Sequence, residues 1–136
     1  MFRTLAVAAI ATLTLAACDQ SQQQPTKPIK VRSAEQNQLH ELDALNLAIA
    51  LKRAIYDAGY TCKRITDAGF VGEWKNLDMW MAHCEYDRGA PVNWAVFAGP
   101  DGGAQVRDCK DVPGSGLPDC EIKKRPKGSF GNGKES

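Results

Sequence analysis

The chain has 136 residues, enough for one domain, and carries 17 Lys and Arg against 16 Asp and Glu, a formal net charge of +1. This balance excludes the basic footprint of a nucleic-acid binder and any overall field that would drive the chain onto anionic lipid.

Met1-Phe2-Arg3 supplies an amine and one Arg, and residues 4–17 run uncharged to Leu15-Ala16-Ala17-Cys18. A charged start, an apolar stretch and small residues before a cleavage point are the parts of a secretory signal. The apolar run is shorter than the roughly 20 residues that span a bilayer. Residues 1–18 resemble the signal and lipobox of bacterial lipoproteins, with Leu, two small residues and Cys where that class has them. The resemblance implies cleavage before Cys18, diacylglycerol on its thiol and acylation of the new amine, an effectively permanent anchor. Asp19 and Gln20 resemble an inner-membrane retention signal. The expected location is therefore the periplasmic side of the cell membrane, inner favoured over outer.

With residues 1–17 removed, 119 remain and Arg3 is lost, leaving a formally neutral chain. Residues 18–33 comprise the lipidated Cys and a Gln- and Pro-containing tether whose composition cannot offset the entropy of ordering. The folded domain is expected over residues 34–122.

Ser33 opens it, with Gln36 as the return partner of a capping box. No Pro or Gly interrupts residues 34–58, and Gly59 ends the run, which predicts one long helix of about 37 Å. Ala44, Leu47, Ala48, Leu51, Ile55 and Ala58 form its apolar stripe. Leu39, Leu42, Leu45 and Ile49 form a second row, expected either to bind a partner helix, a second copy or a membrane protein, or to lie under the C-terminal loop.

Period-two patterns then predict a strand over residues 60–66, a long turn over 67–76 and a strand over 77–86. In the latter, Trp80, Ala82, Cys84 and Tyr86 share one face and Met79, Met81, His83 and Glu85 the other. A third strand covers 92–98, Pro100-Asp101-Gly102-Gly103 signals a hairpin, and a fourth strand covers 104–109. The sum is an α+β fold: one long N-terminal helix on a four-stranded antiparallel meander, with Phe70, Trp74, Trp80, Trp94 and Phe97 supplying much of the burial.

Lipidation of Cys18 leaves Cys62, Cys84, Cys109 and Cys120, an even number suited to two disulfides in an exported chain. Three connectivities are open, and the adjacent one, Cys62 to Cys84 and Cys109 to Cys120, closes the shortest loops. Residues 123–136 carry Lys123, Lys124, Arg125, Lys127 and Lys134 and read as a basic disordered tail.

Chemistry-bearing combinations are sparse. His83 beside Cys84 suggests zinc or a nucleophile pair, but no Cys-x-x-Cys occurs and disulfides consume the thiols. Met79 and Met81 read as packing rather than a copper site. Asp101-Gly102-Gly103 lacks a calcium loop's alternating acids, Asp108 and Asp111 lie on a hairpin, and the basic run reads as solvated rather than bound to lipid or wall polymer. No cofactor or metal is expected. The chain also resembles, loosely, small periplasmic lipoproteins without assigned activity. Membrane-bound lysozyme inhibitors share a Tyr-x-Cys like Tyr60-Thr61-Cys62, yet their Ser-Gly-x-x-Tyr loop is missing here. The expected function is a non-enzymatic binding or scaffold module of the cell envelope, partnered by the membrane through its lipid, an unknown envelope protein and, through the helix, its own copies. The alternatives are an inhibitor of a cell-envelope enzyme and a hydrolase with an unrecognised site.

Overall fold

The stretch expected as one long helix is broken in two. In the computed structural model, which describes residues 32–130, α1 spans Ala34–Glu41 and α2 spans Ala44–Asp57. Ser33 and Gln36 form the capping box that starts α1. Leu42 and Asp43 then go extended, with ψ of 142° and 172°. The cause is Asp43, whose carboxylate accepts from the Asn46 backbone N–H at 2.8 Å and starts a new helix where a continuous one would have passed through.

The break redirects the second apolar row. Leu39 and Leu42 turn inward and pack at the core edge, while Leu45 and Ile49 remain exposed on α2. The four residues therefore do not form one surface. Of the predicted stripe, Ala44, Leu47, Leu51 and Ile55 are buried, each larger side chain contributing about 1.5–3 kcal/mol, whereas Ala58 is exposed.

Four antiparallel strands follow in the order β1 (Arg64–Trp74), β2 (Leu77–Glu85), β3 (Val92–Ala98) and β4 (Ala104–Asp108). β1 occupies most of the segment expected as a long turn. Gly69 and Gly72 suggested that turn, but the reversal is only Lys75-Asn76 between the paired Trp74 and Leu77. Register shifts between Ile65 and Asp67 and between Phe70 and Gly72 carry the chain through the irregular pattern.

The sheet buries both faces. α2 covers one, over Ile65, Ala68, Trp80, Ala82, Trp94 and Val96. Residues 109–122 cover the other, placing Val112, Leu117 and Ile122 on Val71, Met79, Met81 and Phe97. Residues 109–122 thus cover the far face of the sheet, whereas Lys124, Arg125 and Pro126 reach Leu39 and Leu42, the inward half of the helix row. Cys62 is bonded to Cys84 and Cys109 to Cys120, with sequence separations of 22 and 11. Loop entropy assigns each bridge about 3 kcal/mol.

Residues 123–130, expected within a disordered tail, are held as a strap along the β1 edge. Phe70 N–H donates to Lys124 O at 2.8 Å, Lys123 N–H donates to Phe70 O at 2.8 Å, and Ala44 N–H donates to Lys127 O at 2.8 Å. Phe130 packs against the α2-side core. Arg125 makes a forked contact with Asp67, at 3.2 and 2.9 Å. Those hydrogen bonds, with the carboxylate's charge, raise the guanidinium pKa above its ordinary value. Residues 131–136 lie outside the described residues.

The strap approaches β1 closely at Gly69, where a Cβ would stand 2.5 Å from Ile122 Cγ2 and 2.6 Å from Lys124 O. At Gly72 a Cβ would meet nothing within 4 Å. Gly69→Ala is expected to displace the strap and cost about 1–3 kcal/mol in chemical denaturation, while Gly72→Ala stays near neutral. Equal stabilities would refute the strap contact.

Candidate functional site

A groove opens between the helices and the β3–β4 end of the sheet. Its wall is the side of α2 carrying Ala50, Ala54 and Ala58, small residues at four-residue intervals that leave space above the strands. Val96, Ala98, Leu51 and Leu39 supply the apolar floor, and Gly99, Gly102 and Gly103 of the hairpin form the far rim. The groove's volume is about 500 Å³, inside the roughly 300–1,000 Å³ range of small-ligand sites. Charge is confined to the mouth. Asp57 has Arg53 Nε at 3.9 Å, and Glu35 stands beside Gly102 with no ion pair among the described residues.

α1 closes one end of this groove and is held there by polar contacts. Buried Gln36 donates through Nε2 to Asn76 O at 2.9 Å and Ala98 O at 3.1 Å, tying the helix to both ends of adjacent turns. Next to it, Asp78 of β2 is only 1% exposed. Its carboxylate accepts from Arg32 Nε at 3.2–3.3 Å and lies 2.9 Å from His40 Nε2. A carboxylate only accepts, so Nε2 carries the hydrogen. The His40 ring sits between Phe70 and Trp80, at centroid distances of 4.7 and 4.8 Å. Arg32 also pairs with Glu73 and lies over the Phe70 ring at 5.5 Å. Desolvating Asp78 would be costly alone, and these two donors offset that cost.

Comparison with family models, curated proteins and solved structures finds no match. The chemistry of the site is therefore read from its residues. The groove offers an apolar bed with Glu35, unpaired among the described residues, and the Arg53–Asp57 pair at its entrance. The charged cluster at Asp78 is saturated internally and locks α1 to the β1–β2 hairpin.

Of the candidate site residues read from sequence, Leu39 lines the groove. Cys18, Asp19 and Gln20 lie outside the described residues. Cys62, Cys84, Cys109 and Cys120 are spent in disulfides, so none offers a thiolate. His83 is half-buried, and its Nδ1 meets Asn93 Oδ1 at 2.5 Å. Met79 and Met81 pack in the second core. Asp101 accepts from Gly103 N–H in its turn. Asp108 accepts from Lys110 N–H, and its side-chain hydrogen bond and charge raise the Lys110 pKa.

Sequence reasoning missed the groove and the Asp78 cluster, although both left signals. Ala50, Ala54 and Ala58 form a small-residue row, and Asp78 stands in the same alternating set as Trp80, Ala82 and Cys84. A lone carboxylate on a buried face demands partners. Asp78→Asn should lower stability by about 2 kcal/mol and speed amide exchange in α1 while α2 keeps its protection. Uniform acceleration across both helices would show that Asp78 does not act through α1.

Proposed function

We propose that the protein is a lipid-anchored binding module of a bacterial cell envelope, displayed from the inner membrane on the periplasmic side. The location rests on the Leu15-Ala16-Ala17-Cys18 sequence, followed by Asp19 and Gln20. Binding rests on one observation, the groove of about 500 Å³ with an apolar bed and Glu35 at its mouth beside the Arg53–Asp57 pair. Its chemistry suits an elongated apolar molecule that brings a cationic end to Glu35: the bed takes the chain, and the carboxylate takes the charge.

Two experiments address the two halves separately. Cys18→Ser should yield an uncleaved precursor without lipid label in radiolabelled-lipid incorporation, since position 18 then has no thiol. Normal labelling would remove the anchor. Decylammonium, followed by calorimetry, should bind the domain more tightly than decyl sulfate, and Ala50→Phe, which fills the groove from its wall, should weaken it at least about tenfold. Unchanged affinity in Ala50→Phe, with the melting temperature preserved, would remove the groove as the site.

A further inference from the structure

Three features that the groove does not use gather on the opposite side of α2. Leu45, Ile49, Lys52 and Tyr56 are spaced four, three and four residues apart and so share one side of the helix. That side lies roughly 150° around the axis from Ala50 and Ala54. Leu45 is 66%, Ile49 58% and Tyr56 50% exposed, an uncommon concentration of apolar surface on a short helix. The strap adjoins its first turn, through Ala44 N–H and Lys127 O. Lys124 and Lys127 of the strap are exposed and have no ion pair among the described residues. Lys52 extends across to Lys63 O at 2.8 Å, carrying a further cation to the same side.

The described chain begins at this edge as well. Arg32, the first described residue, stacks over Phe70, the β1 residue whose backbone bonds Lys124. Thirteen residues separate Cys18 from Arg32, a reach of about 45 Å at most.

We infer that the β1 edge, with the exposed side of α2 and the basic strap, docks on the anionic lipid surface to which the tether leads. This rests on the lipid-anchor reading. Leu45 and Ile49 enter the headgroup boundary, Tyr56 takes the interfacial position that suits a ring with a polar tip, and Lys52, Lys124 and Lys127 meet lipid phosphates. Glu41 and Asp43 oppose this locally. Asp43, however, is engaged as the cap of α2, Asp67 is neutralised by Arg125, and Asp87 by Lys63. A second copy fits less well, because Lys52 would occupy the seam between two apolar rows, whereas at a membrane its stem lies along the apolar surface and its head reaches the hydrated phosphates. The consequence is orientation: the groove, on the other flank of α2, faces away from the bilayer.

The test uses the full chain as the cell produces it, carrying Ile49→Trp, reconstituted into vesicles of phosphatidylcholine alone or with about one part in three of phosphatidylglycerol. Brominated acyl chains quench a tryptophan that enters the boundary, and the chain without the added Trp gives the background. Quenching is expected to be at least about twofold greater with the anionic lipid, to fall in roughly 0.5 M salt, and to disappear in Lys124→Glu/Lys127→Glu. Equal quenching with and without phosphatidylglycerol overturns the proposal. So does protection of the introduced tryptophan that grows with protein concentration without lipid, the signature of a second copy. The mass of the isolated chain reads the anchor independently. A chain without acyl groups, added to the same vesicles, still reports on the docking face, so the two readings fail separately.

Discussion

A single helix can cover one face of a four-stranded sheet, and this sheet is apolar on both. α2 takes the face with Trp80 and Trp94, leaving Met79, Met81 and Phe97 for chain that forms no further strand. Irregular chain is a poor lid, since it brings few ordered backbone partners and loses much entropy on fixing. The Cys109–Cys120 bond and the strap answer that constraint: one closes the loop on itself, the other fastens its end to β1 and then to α2. The path of the last described residues therefore follows from the need to hold the second layer in place.

α1 is held by a different kind of force. Its sequence is polar, and its grip comes from Gln36, His40 and the neighbouring Arg32 rather than from a broad apolar face. Polar contacts are directional, so they fix where α1 sits more than they add to stability. Position matters here because Glu35, Gln36 and Leu39 line the groove. A set of hydrogen bonds at Asp78 thereby determines the shape of an apolar site on the far side of the same helix.

Strand order, the two faces of β2 and both disulfide pairings were legible because they depend on local alternation and short turns. The division at Asp43 was not, since Leu39 to Ile55 keeps a helical rhythm and neither Pro nor Gly marks the break; the cue was a side chain able to cap, inside a run already assigned to helix. β1 was misread because two bulges interrupt its alternation just where Gly69 and Gly72 imitate a turn. The strap was illegible for a more general reason. Backbone hydrogen bonds hold it at Phe70 and Ala44, and these are available to nearly any sequence, so a basic, Gly-containing segment looks the same whether fastened or free. In the candidate site, Asp78 was legible but unread, a charge in an apolar alternation, while the groove showed only as the Ala50, Ala54 and Ala58 row, since the space above that row is set by packing.

The two flanks of α2 carry opposite solutions to the same geometry. Small side chains at Ala50 and Ala54 hold the solvent boundary back from the sheet and create a concavity; large ones at Leu45, Ile49 and Tyr56 push it outward and create a convex apolar face. A helix buried along one stripe needs neither, because its remaining surface is most soluble when charged. Lys52 and the strap lysines follow the convex flank, while the concave one carries Glu35 and the Arg53–Asp57 pair, a net negative rim. With formal charges nearly cancelling over the whole chain, such a separation gives the domain a direction without giving it a net field. A body tethered as proposed, with that polarity, would be turned by an anionic surface even where its average charge would leave it indifferent.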